Sequence, residues 1–280
     1  MKLKKQKTLR KLGGYILIYL AVAAIVCFFM FPIFWELLTS FKSAKEVVST
    51  SPSFIFRPTL ASWSYLSEIN IFHNFKNTLI VASCSTIIAT LFGALAAYAI
   101  IRSSFKGRKL MVFEILTLRM VPPVAFVVPI FILWSKLNLI NTYQGLILMY
   151  TAFNLPFSIW LMIGYFKSVP TQIGEAAMID GCSHSGVFWR IVLPIAKPGL
   201  AAVAVFCMMF SWNEFMFATL LTRLETATLT VETARRIMIR TYINWSGLAG
   251  ISIFTISVPL IFAIIIQKHL VKGISMGAVK

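Results

Sequence analysis

Six apolar runs, each about as long in helical residues as a bilayer is thick, leave this chain few folds to choose from. They cover roughly residues 15–38, 78–101, 110–134, 144–166, 200–221 and 249–266. A helix needs about 20 apolar residues to cross the hydrocarbon layer, where every backbone N–H and C=O must be satisfied within the segment. With 59% hydrophobic and only 12% charged residues among 280, and a mean hydropathy of +0.84, the chain carries more apolar surface than a soluble core of this size can bury. The expected fold is an all-α integral membrane protein with six transmembrane helices. An even number of crossings places both termini on one side.

Lysine and arginine fix which side, because they accumulate on the cytoplasmic ends of inserted helices. With both termini inside, the cytoplasmic segments hold sixteen of the 26 basic residues: the N-terminal tail, the loop from Arg102 to Lys109, the loop carrying Lys167, Arg190 and Lys197, and the C-terminal tail. The outer segments hold nine, and Arg119 lies inside a run. The net charge of +17 therefore reads as topology and contact with anionic lipid, and nucleic acid is not expected as a partner. Ala21-Val22-Ala23 resembles a signal-peptide cleavage site, but the apolar run continues to Phe34, which favours a retained anchor.

Several chemistries lack their residues. No phosphate-loop pattern is present, so the chain is not expected to hydrolyse ATP, and no His-Glu-x-x-His or Cys/His spacing suggests a metal. His73, His184 and His269 are scattered and read as solvated surface residues. Cys27, Cys84 and Cys207 fall in apolar runs and Cys182 in a cytoplasmic loop, which offers no disulfide framework.

That loop, between the fourth and fifth runs, holds the most specific pattern in the chain. Glu175-Ala176-Ala177-Met178-Ile179-Asp180-Gly181 is followed, after nine residues, by Ile191-Val192-Leu193-Pro194. It reads as two short helices joined at Gly181. Thr171 caps the first behind Pro170, Gly181 supplies a left-handed stop, and Pro194 ends the second. Ala176 and Ala177 leave the first helix almost bare, as suits an element that lies close against another surface.

This pattern resembles the signature of the permease subunits of ABC importers, at every spacing. Further stretches resemble the carbohydrate branch, similar to the second membrane subunit of the maltose importer: His73-Asn74-Phe75-Lys76-Asn77-Thr78-Leu79, Ala96-Ala97-Tyr98-Ala99 with Arg102 and Gly107-Arg108, Arg119-Met120-Val121-Pro122, Gly145-Leu146-Ile147-Leu148, Trp212-Asn213-Glu214-Phe215 and Gly277-Ala278-Val279-Lys280. The resemblance runs from about residue 70 to the end. It implies a type I ABC importer permease fold, in which residues 1–70 form the N-terminal tail, first span and outer loop. Residues 71–267 would be the permease domain with a coupling loop at 167–199, and residues 268–280 a cytoplasmic tail.

The resemblance also implies a setting and a division of labour. The chain would sit in a bacterial or archaeal plasma membrane with a second permease subunit as a heterodimer, two ATPase subunits that hold the ATP and magnesium, and an extracytoplasmic sugar-binding protein; no cofactor belongs to this chain. Glu175 to Pro194 would seat in a groove on the ATPase, with Glu175 making a charge-assisted contact to a basic group and Ala176, Ala177, Asp180, Gly181, Ile191, Leu193 and Pro194 completing the coupling element. Glu175 could instead serve the helix dipole, worth about 0.3–1 kcal/mol. The outer segment 222–247, with Arg223, Arg235, Arg236 and Arg240, would face the binding protein, and the tail 272–280 the ATPase. The alternative for both is a solvated loop anchored by Trp245 or lysine.

Polar groups inside the runs give a weaker indication of a solute path. At about 1.5 Å per residue, Arg119 lies about 14 Å into the third run, Asn154 about 15 Å into the fourth, and Asn213 and Glu214 about 20 Å into the fifth. Such groups face a cavity or a partner. Pro122, Pro123 and Pro156 free backbone carbonyls at similar depth. Asn, Glu and Arg suit hydroxyl-rich solutes, and Trp212 could stack on a sugar ring. In the competing reading Arg119 pairs with Glu214 or with the other permease, and Asn213 joins two helices. The function expected is a sugar importer's translocation subunit, not an enzyme. An ABC permease for a polyamine, phosphate or peptide is the runner-up, and an ion-coupled secondary transporter using Glu114 or Glu214 a more distant one.

Overall fold

The computed structural model describes residues 2–49, 51, 53–238 and 243–278, with side chains at 14–49, 51, 53–236 and 243–264. The chain divides into two units, residues 1–69 with 240–254, and 70–239 with 255–280.

The first unit is built on α1 (Lys2–Ser40), 39 residues long. Its side chains from Tyr15 to Phe31 are exposed, as expected of a helix whose solvent is lipid. The chain then turns through α2 (Ala44–Val47) and α3 (Ala61–Glu68). Ser43 N and Oγ both donate to the Glu46 carboxylate, at 2.9 and 2.8 Å. Lys42 is buried with its ammonium 4.2 Å from the centre of the Trp35 ring. The aromatic face replaces the water a buried cation loses. Gly247 fits here because a Cβ would lie 2.7 Å from Tyr65 Cδ1.

The second unit begins with α4 (Ile71–Arg102), α5 (Arg108–Leu118), a 3-10 turn at Pro123–Phe126, α6 (Val127–Lys136) and α7 (Tyr143–Lys167). Then come α8 (Thr171–Ile179), α9 (His184–Val187), a π turn at Phe188–Val192, α10 (Leu193–Ile195), α11 (Lys197–Trp212), α12 (Met216–Leu221) and α13 (Leu229–Met238). The last helix, α14 (Trp245–Ala278), passes from one unit to the other and runs unbroken through position 268, where a separate tail was expected. Helices α4, α7 and α11 form the packed centre of this unit. Close approach requires small residues: a Cβ on Gly93 would collide with Ser158, and one on Gly199 with the Tyr165 ring. The described residues contain helices and no strand.

Four helical stretches are long and apolar enough to cross a membrane, Gly14–Ser40, Ile71–Arg102, Tyr143–Lys167 and Trp245–Ile264, and two bent pairs bring the number to six if each is one crossing. The bends correct two expectations. The run at 110–134 is not continuous: Arg108–Leu118 and Pro123–Lys136 meet at 90°. Pro122 and Pro123 cannot donate to the carbonyls four residues back, so the helix ends at Leu118. The run at 200–221 also breaks, after Trp212, and residues 213–215 lie outside helix.

Candidate functional site: the loop between α7 and α11

The loop's first helix is stopped as its sequence suggests but started differently. Gly181 has φ +91°, its N–H bonds to Met178 O at 3.1 Å, and Cys182 N–H bonds to Ala177 O at 3.0 Å. This paired closure of the last carbonyls is a Schellman motif, which a left-handed glycine permits. At the other end Thr171 is the first helical residue rather than the cap. Pro170 occupies the cap position, and no side chain bonds to the free amides. Capping by a side chain occurs at the second helix, where Ser183 Oγ accepts from Gly186 N at 3.2 Å. Nor does Pro194 end that helix. It follows the π turn, which loosens the hydrogen-bond register just where proline lacks an N–H, and the helix closes at Ile195. A 78° bend then leads into α11.

The loop has two unlike faces. Inward, Ala177 (8% exposed), Val187, Phe188, Val192 and Ala196 join a core with residues of α4 and α7. Phe188 packs its ring 4.9 Å from Tyr98 and 6.3 Å from Phe166. Gly174 lets the loop lie close to α4, since a Cβ would come within 2.9 Å of Arg102 Nη2 and displace that guanidinium. Outward, Glu175, Ala176 and Asp180 are exposed beside large apolar residues, with Ile179 87% exposed and Trp189 and Ile195 about half. The two alanines thus divide: Ala177 allows seating on the chain's own core, and Ala176 lies outside. Ile191 and Leu193 are half-buried against that core, while Pro194 is exposed. Glu175 has no ion pair among the described residues. It borders a cavity of about 590 Å³ with Tyr98, Arg102, Met178, His184 and Trp189. A second, of about 670 Å³, opens between Asp180–Ser183 and Trp189–Arg190.

In the apolar interior the predicted polar residues separate. Arg119 ends α5, donates from Nη1 to Phe153 O at 2.7 Å, and stacks near Phe210, Phe153 and Phe157 at 4.5, 4.8 and 5.5 Å. It lines a cavity of about 190 Å³ with Leu118, Phe126, Ile130 and Pro156. Asn154 is buried against α11, donating to Ser211 Oγ at 2.8 Å, while Ser211 shares a bond with Ser85 at 3.1 Å. Trp212 is buried too, its Nε1 donating to Thr255 O at 3.3 Å and its ring beside Phe75. Asn213 is exposed and bonds back to Met209 O. Glu214 accepts from Phe217 N and Ala218 N at 2.8 and 2.9 Å, closing the N-terminus of α12. Arg119 and Glu214 do not pair: the ion pairs among the described residues join Glu232 to Arg235 and Arg236.

The sequence profile of the binding-protein-dependent transport system inner membrane components matches residues 89–276, a span that includes the whole loop. The chain belongs to this family. Among relatives of this permease, a probable ABC transporter permease of Sinorhizobium fredii is 39% identical over 90% of this chain and 91% of its own length. A trehalose/maltose transport system permease of Thermococcus litoralis is 34% identical over 92% and 93%. A diacetylchitobiose uptake system permease of Streptomyces coelicolor is 33% identical over 88% and 82%. Among solved structures, one chain of a bacterial ABC transporter that imports the acidic polysaccharide alginate superposes with a TM-score of 0.73, at 22% identity, covering 90% of this permease and 95% of that chain. At that identity the likeness is one of fold.

In the permease, the loop residues singled out from the sequence come together on one element, whereas those singled out in the interior take three separate surroundings. Residues that matter for the site and escaped notice are Gly174, Phe188 and Ser183, which seat and start the loop helices, and Ser85 and Ser211, which meet Asn154. Ser183 stood three residues ahead of Gly186 at the start of a helix, a capping position legible in principle. His73, read as solvated, is exposed but donates from Nε2 to Glu225 O at 2.7 Å. Arg240 lies outside the described residues.

Proposed function

We propose that the chain is the translocating subunit of an ATP-driven, binding-protein-dependent sugar importer, and that residues 167–199 couple it to a partner ATPase. The observation that carries the reading is the two-faced loop: one face is fixed to α4 and α7 by buried aromatic packing, and the other presents Glu175 unpaired among exposed apolar residues. Exposed apolar surface rimmed by polar groups on a rigid element is what a docking partner requires. The sugar assignment is supported by relatives named for trehalose, maltose and diacetylchitobiose.

In this reading the permease crosses the membrane six times, counting each bent pair as one crossing, with both termini in the cytoplasm of a bacterium or archaeon. A second permease subunit pairs with it, two ATPase subunits supply ATP and magnesium chemistry, and an external sugar-binding protein delivers the solute. Residues 71–267 form the permease domain. Glu175 contacts a basic group on the ATPase, and Gly181, Ile191, Leu193 and Pro194 hold the loop's shape around Ala176, Ala177 and Asp180. The solute path runs past Arg119, whose guanidinium borders an open cavity. Asn213 and Glu214 contribute from the break after α11, and Asn154 and Trp212 support it from buried positions.

Purification of the chain from its native membrane in mild detergent, with quantitative identification of its companions, tests the proposal. A second permease, two ATPase copies and ATP-dependent uptake of the sugar held by the co-purifying binding protein are expected. A chain that arrives alone and moves solute without ATP overturns it.

A further inference from the structure

A cavity of about 390 Å³, away from the exposed face of the coupling loop, is lined by the cations Arg108, Lys109 and Lys167 together with Ile100, Val112 and Ile163. Ile100 and Ile163 belong to the buried core, so the apolar wall is fixed. The cations come from two elements, the first turn of α5 and the last turn of α7. No acidic residue lines the cavity or stands in the first turn of α5, and none of the three cations has an ion pair among the described residues. Gly107, with φ +94°, starts α5 without a side-chain cap. The amides of Lys109 and Leu110 meet no acceptor among the described residues. A helix N-terminus with free amides and two cations attracts an anion through both its dipole and its donors. The adjoining surface of α5 carries Leu110, Phe113 and Leu118, each about 60% exposed, with the exposed Glu114 between them.

We propose that this cavity binds the phosphate of an anionic phospholipid, with the diester over the start of α5 and an acyl chain along Val112 and Ile163. Charge complementarity selects the headgroup. Three cations with no carboxylate in the cavity lining suit a phosphoglycerol head, whereas a choline or ethanolamine head would add a fourth positive charge beside them. The combined basic and apolar lining favours a lipid over a free anion. The inference rests on the chain spanning a membrane and not on the solute it carries. Lys167 is the last residue of α7 before the coupling loop, so the bound lipid would stand at that loop's root.

The test uses the assembled complex, reconstituted in vesicles of phosphatidylcholine with phosphatidylglycerol, released and analysed by native mass spectrometry. Retention of phosphatidylglycerol over phosphatidylcholine by about tenfold or more is expected, the scale set by three near-surface cations. The preference falls toward unity in the triple variant Arg108→Gln, Lys109→Gln, Lys167→Gln, and by most of that extent in the double variant Arg108→Gln, Lys109→Gln, which leaves the coupling loop intact and the subunits assembled. Equal retention of both lipids, or an unchanged preference in the triple variant, overturns the proposal. Saturation by millimolar inorganic phosphate in place of lipid overturns the lipid as the source. Loss of the ATPase from the double variant Arg108→Gln, Lys109→Gln in pure phosphatidylcholine overturns it as well, because the cations would then serve a protein contact. A complex that carries no sugar but keeps the lipid preference leaves this inference standing while the proposed function fails.

Discussion

The loop between α7 and α11 and the segment between α12 and α13 both connect apolar helices, yet they treat their polar groups in opposite ways. In the second, the chain supplies the partners of its buried polar groups. Asn77 Nδ2 donates to Glu225 O and Ala227 O at 2.9 and 3.0 Å, and Asn74 Nδ2 to Ala227 O at 3.1 Å. Thr78 Oγ1 accepts from Leu229 N at 2.8 Å. Asn141 Oδ1 accepts from Arg223 N and Thr226 Oγ1 at 3.0 and 2.8 Å. Ala227 and Leu229 are wholly buried. In the first, buried aromatics hold one face and the other is left with an unpaired carboxylate among exposed apolar residues. One connection is finished within the chain. The other leaves a face open, and in the proposed function a partner protein covers it to form a joint.

Asn77→Ala should have the largest effect on the chain itself. It removes one of the two side-chain donors to each of the Glu225 and Ala227 carbonyls, and it leaves the Tyr143 hydroxyl, which donates to Asn77 Oδ1 at 2.5 Å, without that acceptor, a loss of about 2 kcal/mol. Thermal unfolding in detergent and proteolysis of residues 222–238 would register it, and an unchanged midpoint would break the contrast. Glu175→Ala should leave that midpoint alone, because exposed sites alter stability by about 0.5 kcal/mol or less. ATP-driven uptake should fall by about tenfold or more, the scale of a charge-assisted bond across an interface; full uptake would remove Glu175 from the joint.

Smaller effects separate loop shape from loop contact. Gly181→Ala forces an L residue to φ +91° with open space around it, at about 1 kcal/mol, and should weaken ATPase binding by bending the loop. Ser183→Ala should destabilise by about 1 kcal/mol through loss of the cap to Gly186. Thr171→Ala should be close to neutral, since Thr171 makes no cap bond. Hydrogen exchange at the amides of 171–174 and 184–187 distinguishes the last two. Equal effects would mean the two helix starts are not different after all.

What could be read from the sequence follows from the solvent of each region. The apolar runs were legible because lipid offers backbone groups no partner, so composition alone marks a span. Gly181 was legible because one backbone angle fixes its residue type. The division between Ala176 and Ala177 was not, since neighbours in sequence differ only by which side the core of α4 and α7 lies on. Nothing beside Asn74, Asn77 and Asn141 in the sequence points to the partners they find, and only the fold brings a carbonyl from 150 residues away to meet Asn77. Trp212 and Asn154 read as path residues because depth can be counted along a run, whereas the direction a side chain takes from it cannot. The breaks at Leu118 and Trp212 had different visibility: Pro122 and Pro123 marked the first, and nothing in residues 213–215 excludes helix as proline does.

The 78° turn between the second loop helix and α11 also fixes how the joint can act. In the proposed coupling, a push along the axis from His184 to Ile195 has only about a fifth of its size along α11, so most of it acts across that helix. Such an element would act as a crank that turns α11 rather than a piston that slides it, with the π turn ahead of Pro194 inside the crank arm.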